Sequence, residues 1–137
     1  MTGLFEDAQR SGVYRVPRAE DALQAAKGLR PVRVDLAGIR DKTALLDALA
    51  RALEFPDWFG GNWDALEDCL TDLSWRGAAG HLILIEGAQD LAADDFGVLA
   101  DVLASSAEYW AGRGTPFFAV FVGGPATLPA LPPRGKA

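Results

Sequence analysis

Six acidic residues, Glu54, Asp57, Asp64, Glu67, Asp68 and Asp72, fall between Arg51 and Arg76, and no Lys or Arg lies among them. The chain carries 13 basic and 19 acidic residues, a net charge of −6. With these six set aside, the remaining acids and the bases balance, so the whole net charge sits in one short window. A field that concentrated calls for a cationic partner or a metal ion. The spacing predicts a helix over residues 63–73, capped by Asn62. Leu66, Leu70 and Leu73, with Cys69 beside them, form its apolar stripe, while Asp64, Glu67, Asp68, Thr71 and Asp72 take its other faces. Asp64 and Asp68, and again Asp68 and Asp72, stand four residues apart. Each such like-charge pair costs a helix about 0.2–0.5 kcal/mol, and no base in the helix offsets it. Asp64 suits the positive end of the helix dipole. Asp72 lies near the negative end, where a plain solvated face accounts for it poorly.

The segment before this helix adds Trp58 and Phe59 in a turn flanked by Gly60 and Gly61. Large aromatics beside an acidic face suit a protein-recognition surface, where such anchors carry much of the binding energy. The plainer alternative is that Trp58, Phe59 and Trp63 cover the core. Readings as an enzyme are weaker. The single histidine, His81, opens an apolar strand and reads as structural, which leaves the serines without a base for a nucleophilic triad. Cys69 lies on the apolar stripe and reads as a buried, inert thiol. Neither a phosphate-binding loop nor a dinucleotide fingerprint is present, so the acid after the apolar run 82–85 carries little weight. Asp64, Asp68 and Asp72 span too far along one helix to hold a single octahedral Mg²⁺ unaided. Neither a metal nor a cofactor is implied.

The elements that must position these residues follow from length and periodicity. A chain of 137 residues is one domain by size and buries roughly 68% of its unfolded surface. Half the residues are hydrophobic and 23% charged, which excludes a disordered, collagen-like or coiled-coil chain. No apolar run approaches the ~20 residues of a membrane span, and the first ten residues do not read as a secretory signal. One cysteine fits a reducing compartment, so a cytoplasmic location is expected. A pI near 4.6 lacks the basic footprint of a nucleic-acid binder. Residues 1–11 read as a loose leader and 13–16 as an edge strand that Pro17 ends. Residues 19–27 read as a helix closed by Gly28, and 32–36 as a strand. The stripe Leu45, Leu46, Leu49 and Leu53 marks a helix from residue 41 or 42 to 54, which Pro56 stops. A loop over 74–80, a doubly covered strand over 82–85, a long helix over 94–113 and a strand over 117–122 follow. From Gly123 onward four prolines indicate an extended or disordered tail. The alternation predicts a two-layer α/β fold with a small parallel sheet of three strands, residues 13–16 being the candidate for a fourth.

The run Phe55-Pro56-Asp57-Trp58-Phe59-Gly60-Gly61-Asn62-Trp63-Asp64-Ala65-Leu66-Glu67-Asp68-Cys69-Leu70-Thr71 resembles the signature of the barstar family, intracellular inhibitors of barnase-type ribonucleases. The family pattern there is Pro, acid, an aromatic pair, Gly, any residue, Asn, a large apolar residue, Asp-Ala-Leu, any residue, Asp-Cys-Leu-Thr. The order of elements on either side agrees. The resemblance covers residues 32–122 and leaves 1–31 as an N-terminal extension and 123–137 as a proline-rich tail. It implies a monomeric, proteinaceous inhibitor rather than an enzyme, whose acidic helix and preceding loop plug a cationic ribonuclease active site. It implies no direct contact with nucleic acid or membrane. By motif position, Asp68 is the central phosphate mimic and Asp64 a second acidic contact. Trp58 is the aromatic that stacks in the base-binding region. Phe59, Gly60, Asn62, Trp63 and Thr71 line the same surface, with Glu67 and Asp72 on the acidic face. Glu67 and Leu73 stand where the best-known member has tryptophans, so the cognate enzyme can differ from barnase. A further family acid on the long helix has Glu108 as its nearest counterpart. Two other readings compete: the same fold binding another basic protein or toxin, and a metal-dependent enzyme using the acid cluster.

Overall fold

The computed structural model describes residues 5, 7–25, 31–57, 59–73 and 80–131. The apolar runs become strands β3 (His81–Glu86) and β4 (Phe117–Val122), both buried almost end to end. They pair in parallel with each other, Leu82 opposite Phe118 and Leu84 opposite Val120. Strand β2 (Pro31–Asp35) flanks β3, and strand β1 (Gly12–Val16) flanks β4 on the other side. The sheet therefore has four parallel strands in the order β1-β4-β3-β2. Residues 13–16 do form the fourth strand.

Alternate side chains of each strand divide the core in two. Val34, Ile83, Ile85, Phe117, Ala119 and Phe121 face helices α2 (Lys42–Leu53), α3 (Trp63–Leu70) and α4 (Ala93–Ala111). Leu82, Leu84, Phe118 and Val120 face the opposite way and meet Phe5, Ala22 and Ala25, the last two from helix α1 (Ala19–Ala25). Both sheet faces are covered, which is the reason β3 and β4 read as continuous apolar runs rather than alternating ones. The expected two layers thus gain a partial third, built by α1 and Phe5.

Both chain ends depart from the sequence-based expectation. Within the leader, Phe5 is 1% exposed and sets its ring edge-on to Phe118 at 4.8 Å. A short 3-10 turn at Ala8–Arg10, capped by Asp7, leads into β1. After β4 the chain turns at Gly123 (φ 68), and Ala130 then bridges Arg15 in parallel on the outer edge of β1. The Arg15 amide donates to the Pro129 carbonyl at 2.9 Å and the Leu131 amide donates to the Arg15 carbonyl at 2.9 Å. Residues 128–131 thus form an extended strap, which satisfies backbone groups that an open sheet edge would leave to solvent. The Gly28 helix cap, most of the 74–80 loop and residues 132–137 lie outside the described residues.

Candidate functional site

Helix α2 ends where Glu54 adopts a left-handed conformation (φ 58) and the Phe55 amide reaches back to the Ala50 carbonyl at 2.9 Å. Pro56 bars any continuation. The Phe59 amide donates to the Pro56 carbonyl at 3.0 Å, closing a turn that sets the Phe55 and Phe59 rings against each other at a tilt of 58°, centroids 5.0 Å apart. Phe55, Phe59 and Trp63 are half-buried against the α2–α3–α4 core. Trp58 lies outside the described residues. Gly61 supplies the positive φ (72) that swings the chain into α3. Asn62 is extended and its Oδ1 accepts from the Ala65 amide at 2.7 Å, the cap that its residue type predicts.

Helix α3 stops at Leu70, three residues short of the expected end. The Thr71 hydroxyl donates to the Glu67 carbonyl at 2.8 Å, and the Trp110 indole N–H of α4 donates to the Leu70 carbonyl at 2.8 Å. The indole satisfies an acceptor that the helix end leaves open, while the hydroxyl adds a second donor to a carbonyl that already takes the Thr71 amide at 2.9 Å. Leu73 turns left-handed (φ 47) and is buried at 2% exposure. Its apolar spacing correctly marks a core residue. It reaches the core through a strained turn, which its burial offsets, and not along a helix.

The acids divide into three groups. Asp64 and Asp68 are exposed, and among the described residues their carboxylates make neither a hydrogen bond nor a salt bridge. Glu67 is half-buried and accepts from the Ser105 hydroxyl of α4 at 2.9 Å. Asp72 is exposed and lies just beyond the helix end, still beside the negative pole of the helix dipole. The salt bridges among the described residues, Arg18–Asp21 and Arg33–Glu86, belong to other parts of the molecule. The negative field also reaches Cys69. Burial, reinforced by the Asp68 and Asp72 carboxylates, pushes its thiol up to about 11. That thiol is fully buried and protonated at neutral pH, which removes it as a nucleophile.

Between α3 and α4 lies a cleft of about 580 Å³, lined by Asp64, Glu67, Asp68 and Thr71 from α3 and by Ser105, Glu108 and Tyr109 from α4. The fold thus brings four of the sequence-derived residues together and sets Glu108 in the facing wall of the same cleft. Phe59, Gly60, Asn62, Trp63 and Asp72 are not part of this lining. Residue reasoning missed Ser105 and Tyr109. Their spacing with Glu108 at i, i+3 and i+4 marks a shared helix face, but periodicity alone does not say that this face meets α3. Tyr109 is 39% exposed, with the Arg113 guanidinium 4.5 Å from its ring centre. Among the described residues no group of three or more His, Cys, Asp or Glu side chains is placed to hold a metal ion. His81 is buried, packed between Trp110 and Phe117 at 5.0 and 6.0 Å between ring centres.

Residues 29–122 match the family model described as Barstar (barnase inhibitor). The chain belongs to the barstar family. The match spans β2 to β4 and includes the whole acidic cleft, whereas β1, α1 and the strap lie outside it. This barstar-family chain finds no match among curated proteins. No helix among its described residues is long and apolar enough to cross a membrane.

Proposed function

We propose that this protein inhibits a barnase-type ribonuclease inside the cell by presenting α3 and the loop 55–62 to the enzyme's cationic active site. The observation that carries this reading is the pair Asp64 and Asp68, exposed on one wall of the cleft and in no ion pair among the described residues. A folded protein gains nothing from such a pair on its own, because four-residue like-charge spacing opposes the helix. A partner that brings arginines would convert the cost into a gain, since a guanidinium grips a carboxylate with two parallel hydrogen bonds. A ribonuclease must hold such cations to bind RNA phosphate. Asp68 then stands in for the phosphate and Asp64 for a second contact one turn earlier. Trp58 stacks in the base-binding region. Phe59, Gly60, Asn62, Trp63, Glu67, Thr71 and Asp72 surround them. The inhibitor acts as a cytoplasmic monomer and performs no catalysis of its own.

The test is a titration of the protein into an active barnase-type ribonuclease, following RNA cleavage at low and high salt. Inhibition at one-to-one stoichiometry is expected, weakening with salt because exposed charges are screened beyond about 10 Å at 0.1 M. It should be lost in Asp68→Ala. Inhibition that survives Asp68→Ala undiminished would refute the role given to the acidic face. An absence of inhibition across basic ribonucleases would refute the inhibitor reading.

A further inference from the structure

Two adjacent serines on α4 behave differently. Ser106 is fully buried and its hydroxyl donates to the Val102 carbonyl of its own helix at 2.8 Å. Ser105 is exposed, yet its hydroxyl reaches across to α3 and donates to Glu67 Oε2 at 2.9 Å. Glu67 Oε1 makes no hydrogen bond among the described residues. Glu67 shares the cleft with Asp64, Asp68 and Glu108. Like-charge repulsion from those three carboxylates would drive a free glutamate side chain out toward solvent. The hydroxyl is a neutral donor that holds one oxygen in place without cancelling the charge.

We propose that Ser105 is a positioning residue for partner recognition, fixing Glu67 in the α3–α4 cleft so that its second oxygen is ready to accept a cationic side chain of the ribonuclease. This rests on the inhibitor reading above and gives α4 a part in shaping the surface that α3 presents. Glutamate loses much rotamer freedom when it is immobilised. Setting it in place before the encounter removes an ordering cost that would otherwise weaken binding. Glu67 in this role departs from the tryptophan of the best-known family member, so the cleft reads a charge on the partner rather than an apolar surface.

The experiment measures affinity for a barnase-type ribonuclease across wild type, Ser105→Ala, Ser105→Thr, Glu67→Ala and the Ser105→Ala/Glu67→Ala double variant. Ser105→Ala should weaken binding about 2-fold to 10-fold with the melting temperature unchanged. Ser105→Thr, which keeps the hydroxyl, should restore it. In the Glu67→Ala background, Ser105→Ala should have no further effect. A full effect of Ser105→Ala in that background would overturn the proposal, because Ser105 would then touch the partner itself. A second measurement needs no partner: side-chain couplings of Glu67 in the free protein, by NMR. One Glu67 rotamer in wild type and averaging in Ser105→Ala supports the proposal, and equal averaging in both overturns it. Failure of the wild type to bind any basic ribonuclease while Glu67 remains ordered would count against the inhibitor reading alone.

Discussion

The acidic cleft and the outer edge of β1 handle polar groups in opposite ways. At the cleft, Asp64 and Asp68 stand exposed with no ion pair among the described residues, although the helix that carries them would be more stable without the repulsion. At the β1 edge, the strap takes up both backbone groups of Arg15, and the Arg15 Nε donates to the Leu128 carbonyl at 2.8 Å. Phe5 and Tyr14 both lie against Phe118, and Leu128 and Leu131 pack on the two cores. One region keeps an unfavourable charge pattern. The other removes the liability that an unpaired strand edge creates. Residues that break a local rule without internal compensation mark where a protein meets something else. The β1 edge lies outside the barstar-family match and the cleft lies inside it, so the same division separates what the family shares from what this chain adds.

The largest effect that would test this contrast is on binding. Asp68→Ala should cost about 3–5 kcal/mol of affinity for the ribonuclease, the usual penalty for leaving a partner's desolvated cation unpaired. It should leave the melting temperature level or raise it, because the helical repulsion with Asp64 is relieved. Inhibition constants and thermal melts on the same preparation decide it. Stability lost by several kcal/mol with affinity intact would make the carboxylate structural. At the other region the signs reverse. Phe5→Ala should lower stability by about 3 kcal/mol, as for other buried phenylalanines, while inhibition measured below the melting transition stays as in wild type. A loss of inhibition in the folded variant would join the two regions that the contrast separates.

Gly124 offers a smaller probe of the strap. A Cβ there would lie 2.9 Å from the Phe121 Cβ, 3.3 Å from the Leu128 Cδ1 and 3.4 Å from the Arg15 Cβ. Gly124→Ala should therefore destabilise by about 1–3 kcal/mol through overpacking, read by denaturant unfolding. Unchanged stability would mean that the strap yields freely and contributes little. The smallest effect is in alkaline solution. The Cys69 thiol rises from 9.0 to about 11 on folding. Its contribution to stability is thus fully present below pH 9 and is lost as pH climbs through about 11. Tyr14, also raised from its usual value of 10.0 by burial, adds to the same decline at higher pH. Unfolding curves across this range should fall less steeply in Cys69→Ala than in wild type. An identical slope would show that the thiol ionises alike in the folded and unfolded chain.

Much of this was legible before folding. The stripe Leu45, Leu46, Leu49 and Leu53, the Asn62 cap, the breaker at Pro56 and the apolar runs of β3 and β4 are local signals, and each appears where its residue types demand. The end of α3 was not legible. Leu73 keeps the helical spacing of a buried residue, and only the packing of α4, through the Trp110 indole on the Leu70 carbonyl, decides where the helix gives way to a turn. The strap was hidden for a related reason. A proline-rich segment has few amides to offer a ladder, but closing the β1 edge at Arg15 uses one amide and one carbonyl from it, those of Leu131 and Pro129.

By itself, then, the sequence determined the elements, the caps, the buried stripes and the concentration of negative charge on α3, because periodicity, capping and Coulomb repulsion act over a few residues. Only the tertiary structure decided that Ser105, Glu108 and Tyr109 share a cleft with Asp64, Glu67 and Asp68, that Phe5 covers a sheet face, and that residues 128–131 close the β1 edge. Those outcomes depend on which helix faces meet and where the chain goes after β4, and they are set by packing between segments that are remote along the chain.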